Sequence, residues 1–168
     1  MIPRIIHVFW SGRPNRIAEA CIDRMRHINS GWTVVQYDDF SECDEIDGFD
    51  ALKLQAKTDW LRICLIYKYG GMWLDATTVC VGHVEEWLDV TEHRVVGFEC
   101  PIKDAASTPI LESWGFASRP QNEYVLAWKE EFAVAIRMGF GTYKRERREM
   151  LVDHPIYKHM PYLTIHGA

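Results

Sequence analysis

Three side chains in the middle of the chain have the types and spacing from which chemistry is built. They are Asp59 and Arg62, three residues apart, and Asp75, which follows Tyr69-Gly70-Gly71-Met72-Trp73-Leu74. On a helix a separation of three puts Asp59 and Arg62 on one face. Their neighbours Trp60, Leu61, Ile63, Cys64, Leu65 and Ile66 are apolar nearly all round, so the helix is expected to be buried on more than one flank. A desolvated carboxylate and guanidinium are tolerated only when paired and hydrogen-bonded. Two readings are open. The pair is a structural anchor for the helix, or both polar ends converge on a ligand rich in hydroxyls and phosphates, since Arg offers a donor fork to phosphate and Asp accepts from hydroxyls. Asp75 favours the second, because it stands directly after a buried run and ligands of open parallel sheets bind beyond the carboxyl ends of the strands. Trp10 and Asp38 hold similar places after their own apolar runs. Trp10 offers a plate for stacking on a base, and Asp75 a carboxylate for a ribose hydroxyl or for a divalent ion on a diphosphate. Taken singly, Gly70-Gly71 reads as a helix cap and turn, Trp10 as core and Asp38 as a cap.

The elements that must position these residues are readable from periodicity. Residues 4–10 form a β-branched and aromatic run closed by Ser11-Gly12-Arg13-Pro14, a strand and a turn. A helix is predicted over 16–28, with Ile17, Ala20, Cys21, Met25 and Ile28 on its apolar face, and a second strand over 32–37. That β-α-β order favours a parallel pair. An acidic loop over 41–50 leads to the strongest helical segment, 51–69, ended by Gly70. Residues 72–74 read as a short buried strand, with 77–81 continuing it or pairing beside it. A brief helix is expected at 84–88 and strands at 94–98 and 113–117. A long helix, capped by Asn122 and running to Met138, should bury Val125, Trp128, Phe132 and Ile136. The alternating charges of residues 144–149 read as a solvated surface.

With 168 residues, 48% apolar and 26% charged, the chain is expected to fold as a single α/β domain over 1–168. Its sheet should be mostly parallel and flanked by helices. A formal net charge of -5 argues against a nucleic-acid polymer as partner. Five widely spaced cysteines, with no C-x-x-C pair, suggest neither a zinc knuckle nor a disulfide framework. No signal peptide is legible and no run reaches the ~18 apolar residues of a membrane span, so a cytoplasmic location is expected.

The combination of Ile2-Pro3-Arg4-Ile5-Ile6-His7-Val8-Phe9-Trp10, Asp59-x-x-Arg62 and Tyr69-Gly70-Gly71-x-Trp73-x-Asp75 resembles the GT-A glycosyltransferases of the capsular polysaccharide synthesis family. These are relatives of the α-mannosyltransferase and DXD-containing sugar-transfer group. The likeness covers most of residues 1–120. It implies a Rossmann-like domain that binds a nucleotide-diphosphate sugar and transfers a hexose-like sugar, with retention, to a glycan or other acceptor. Carried over position by position, it implies that Phe9 and Trp10 border the nucleotide. Asp59 and Arg62 would contact the donor sugar and its phosphates, and Gly70 and Gly71 would let the backbone approach the donor. Asp75 would be the first carboxylate of the D-x-D. The second carboxylate position is Thr77, which leaves one carboxylate for Mn²⁺ or Mg²⁺. Such a site is weak unless substrate phosphates and a distant ligand, His166 or His154, complete it. His7, inside a strand, reads as structural or as support for the site.

Rival readings are a nucleotide-sugar-binding domain without catalysis and a partner domain of a larger glycan-synthesis protein. A Rossmann oxidoreductase lacks its main feature, since no G-x-G-x-x-G follows the first strand.

Overall fold

The computed structural model describes residues 1–87, 89, 95–100 and 110–151. Strand β1 (Ile5–Phe9) pairs in parallel with β2 (Thr33–Tyr37) on one side and with β3 (Gly71–Leu74) on the other. Strand β5 (Ile110–Ser118) lies antiparallel against β3, with Trp73 opposite Phe116, and β4 (Val95–Cys100) lies antiparallel against β5. The single five-stranded sheet thus has the order β2-β1-β3-β5-β4, with only β5 reversed.

Alternation along the strands divides the core between the two faces of the sheet. Ile6, Val8, Met72, Leu74 and Ala117 turn to one face, where helix α1 (Arg16–Ile28) and the short α3 (Val84–Trp87) cover them. Phe9, Trp73 and Phe116 turn to the other, under α2 (Leu54–Tyr69) and α4 (Glu123–Met138), with α5 (Phe140–Leu151) packed beyond. Helix α2 is clamped between sheet and α4, which is why residues 60–66 are buried without interruption and no single face of the helix is apolar.

Caps account for the helix ends. The Asn15 side chain accepts from Ile17 N at 2.9 Å to start α1, and Asn122 accepts from Tyr124 N and Val125 N to start α4. Helix α2 stops at Gly70, whose φ of 65° suits glycine.

Four expectations change. The helix expected over 51–69 begins at Leu54, after a separate single turn at Phe49–Ala51. In α1 the buried residues are Ala18, Cys21, Ile22 and Met25, while Ile17 is exposed and Ala20 lies on the solvent side, so the apolar stripe is rotated by one position. Residues 77–81 form no strand, because β5 takes the place beside β3 that they were expected to fill. The charged run at 144–149 falls on helix α5, where Lys144, Arg145 and Glu146 are exposed but Arg147 turns inward to pair with Glu131.

Candidate functional site

Because β1 and β3 are parallel neighbours, the residues that follow them, Trp10 and Asp75, emerge at the same rim. Helix α2 runs back from that rim toward the start of β3, so Asp59 and Arg62 are held there too. A crevice of about 440 Å³ opens between these elements. It is lined by Phe9 at the end of β1 and Trp10 and Ser11 after it, by Gln55, Thr58, Asp59 and Arg62 of α2, by Trp73, Asp75, Ala76 and Thr77, and by Ser113 of β5.

Arg62 organises the floor. Its side chain is only 6% exposed, and its two terminal nitrogens are both taken by carboxylates: Nη1 lies 3.3 Å from Asp59 Oδ1 and Nη2 donates to Asp75 Oδ1 at 3.0 Å. The guanidinium carbon sits 4.9 Å from the centre of the Trp73 ring, and Trp73 Nε1 donates to the same Asp75 oxygen at 2.9 Å. Burial lowers the Arg62 pKa from its ordinary value, and the fields of Asp59 and Asp75 oppose that shift. With one guanidinium against two carboxylates, the cluster carries one net negative charge. Asp59 is 17% exposed and Asp75 44%, so the charge faces the crevice chiefly through Asp75.

Two buried donors beside this cluster, Arg62 Nε and Trp10 Nε1, have no hydrogen-bond partner among the described residues. Such groups cost free energy until a partner arrives. Asp75 is fixed from the backbone side as well: its N–H donates to Trp114 O at 3.0 Å, and its carbonyl accepts from Thr78 N at 2.9 Å, closing a turn that leaves Thr77 exposed on the crevice.

Of the residues singled out from sequence, the structure brings Phe9, Trp10, Asp59, Arg62, Asp75 and Thr77 together around one crevice. Gly70 and Gly71 are not part of it. They lie at the other end of β3 from Asp75, and the space at their Cα atoms is already filled. A Cβ on Gly70 would stand 2.6 Å from Pro120, and one on Gly71 2.5 Å from the Ile5 carbonyl, so these glycines permit close packing of the chain on itself. Asp38 follows the edge strand β2, is exposed and does not line the crevice. His7 is buried away from it, with Nε2 2.9 Å from Gly70 O and Nδ1 2.9 Å from the Tyr37 hydroxyl. His154 and His166 lie outside the described residues. No group of three His, Cys, Asp or Glu side chains suited to a metal occurs among the described residues. None of their helices is long and apolar enough to cross a membrane.

Sequence reasoning passed over Gln55, Thr58 and Ser113. The first two precede Asp59 and Arg62 by four residues each, a helical spacing that would have placed all four on one face. Ser113 left no local signal, because it arrives through the pairing of β3 with β5.

Comparison with known proteins places this geometry among relatives. Residues 4–136 match the sequence model of a family described as capsular polysaccharide synthesis protein. The chain is 22% identical over 180 aligned positions to an O-glycosyltransferase, braB, of Annulohypoxylon truncatum; the match covers 94% of this chain and 41% of that protein's length. Among solved structures it resembles the PaToxG glycosyltransferase at a TM-score of 0.62 and 12% identity, over 96% of this chain and 70% of that one, a likeness of fold.

Proposed function

The chain belongs to the capsular polysaccharide synthesis protein family, and from that premise we propose that it is a GT-A-type glycosyltransferase that draws a sugar from a nucleotide-diphosphate donor. One observation carries this reading: the Asp59–Arg62–Asp75 cluster and Trp10 meet in one crevice at the carboxyl ends of parallel strands. A purely structural ion pair would gain nothing from an open cavity beside it.

In this reading Trp10 stacks on the base. Asp59 accepts from sugar hydroxyls. Arg62 braces both carboxylates from the floor of the crevice and sets a positive charge beneath the donor phosphates. The cluster's net negative charge repels a diphosphate, so we infer that a divalent cation, Mn²⁺ or Mg²⁺, is held by Asp75 and the donor phosphates together. When bound it would neutralise charge on the departing diphosphate. The described residues suit that arrangement only in part, because Asp75 Oδ1 already accepts from Arg62 and Trp73, leaving Oδ2 as the protein's offering.

Transfer breaks the bond between the anomeric carbon and the diphosphate oxygen, whose electron pair stays with the phosphate, while an acceptor hydroxyl oxygen bonds to that carbon. Among the described residues lining the crevice, the carboxylates are Asp59 and Asp75, both ion-paired to Arg62. From the family resemblance we infer that the acceptor's proton passes to the departing phosphate oxygen, with entry and exit on one face and retention of configuration at a hexosyl unit. Stabilisation of the leaving group is then the main source of rate. A glycan acceptor and a role in polysaccharide synthesis complete the reading.

A thermal-shift screen of UDP-, GDP- and CMP-sugars, with and without Mn²⁺, tests it. A donor at a hundredfold excess over its Kd adds about 2.7 kcal/mol to folding, and Asp75→Asn should abolish that gain while the unliganded Tm changes little. Binding without hydrolysis or transfer under every condition would favour a non-catalytic binding domain, a reading that the single carboxylate of Asp75-Ala76-Thr77 keeps in view. An unaltered donor response in Asp75→Asn would remove the crevice from contention.

A further inference from the structure

A second cavity, of about 730 Å³, opens on the other flank of the first turns of α2. Its size falls within the range of about 300–1,000 Å³ typical of small-molecule sites. Its floor is apolar, made by Phe132, Ile136 and Met138 of α4 and Phe140 of α5. Its charged lining is almost of one sign. Lys53, Arg137 and Lys144 face it, and the carboxylate that joins them, Asp59, is paired with Arg62. All three cations are exposed, and none forms an ion pair among the described residues. In a chain of formal net charge -5, this is a local positive field set against the sign of the whole. Helix α2 begins beside it at Lys53 without a side-chain cap, adding the positive end of a helix dipole. Gln55 and Asp59 line both cavities, so the two are separated by the thickness of one side chain.

We propose that this second cavity receives the acceptor and selects a glycan bearing acidic sugars, whose anionic groups pair with Lys53, Arg137 and Lys144 while its ring faces lie against the half-buried Phe140 and Met138. The word acceptor rests on the transferase reading; the recognition of an anionic sugar does not. Contact through Asp59 and Gln55 brings the acceptor's hydroxyl end toward the donor crevice, and the basic rim holds its acidic end away from the negatively charged Asp59–Arg62–Asp75 cluster.

Calorimetric titration with three probes tests this: a tetrasaccharide of alternating glucuronate and N-acetylglucosamine, its carboxyl-reduced neutral counterpart, and mannose 6-phosphate. The carboxylate or the phosphate probe should bind more tightly than the neutral one, and whichever wins names the anionic group. R137Q/K144Q should weaken that probe about 5- to 20-fold, as expected for loss of two exposed charge pairs, with little effect on the neutral sugar. The preference should fade as salt shortens the screening length. Both side chains are exposed on helix surfaces, so the variant should keep the parent Tm, and Lys53→Gln supplies an independent repeat. Equal affinity for acidic and neutral probes, or acidic binding untouched by R137Q/K144Q, overturns the proposal. Acidic-sugar binding here in a protein that binds no nucleotide sugar would keep this site and sink the transferase reading.

Discussion

Replacing Arg62 by methionine separates the roles of the central cluster, and its cost can be worked from the geometry. At 3.0 and 3.3 Å, and at an effective dielectric of about 20, the guanidinium attracts each carboxylate by roughly 5 kcal/mol before desolvation is counted. Most of that is offset by taking the arginine out of water. Asp75 is 44% exposed and recovers its hydration when the partner goes, so its share is at most about 1 kcal/mol. Asp59 is 17% exposed and recovers less; loss of the guanidinium there should cost about 2 kcal/mol, below the 3–5 of a fully buried broken pair. Methionine refills much of the volume over Trp73, so Arg62→Met should lose about 3 kcal/mol, or about 6–12 °C in Tm for a chain of this size. Urea denaturation at pH 7 measures it, with Asp59→Asn and the double variant closing a thermodynamic cycle. The double variant should recover about 1.5 kcal/mol relative to additivity, because no half-buried carboxylate then faces a missing guanidinium. An Arg62→Met protein within 0.5 kcal/mol of the parent, or a cycle that is simply additive, would refute the reasoning.

Three further outcomes are expected. Burial holds the His7 pKa below its ordinary 6.5, against the opposing pull of the Gly70 carbonyl and Glu42, so the unfolded chain binds this proton first. Stability should therefore fall as pH drops below about 6.5, and His7→Gln should flatten that part of the urea-midpoint profile; parallel profiles would exclude the histidine as the cause. At Gly71 the backbone has φ +91° and a Cβ would press on the Ile5 carbonyl, so Gly71→Ala should cost more than about 3 kcal/mol. Gly12→Ala, at φ +102° with open space around it, should cost about 1 kcal/mol, and equal losses at the two positions would contradict the packing explanation. Trp10→Ala should weaken nucleotide-sugar binding about tenfold or more by calorimetry, as loss of a base-stacking ring does, while leaving the affinity of the acidic tetrasaccharide unchanged.

What the sequence determines by itself is local. The bounds of α1 and α4 were readable, because the 3.6-residue period and, at α4, the Asn122 cap act within a few positions. The same period placed Asp59 beside Arg62, and the apolar surroundings of that pair announced that its burial needed a reason. What it did not contain was the long-range pairing. Strand β5 arrives some forty residues after β3, and its insertion beside β3 displaces residues 77–81, brings Ser113 to the crevice and lets Trp114 anchor Asp75. The family resemblance put Gly70 and Gly71 beside the donor with Asp75, yet an extended strand carries its two ends about 3.3 Å further apart with each residue. The meeting of Arg62 with Asp75, and the basic cavity assembled from α2, α4 and α5, exist only once those elements are packed. A residue's spacing along the chain sets which face it occupies, but only the docking of distant elements sets what that face meets.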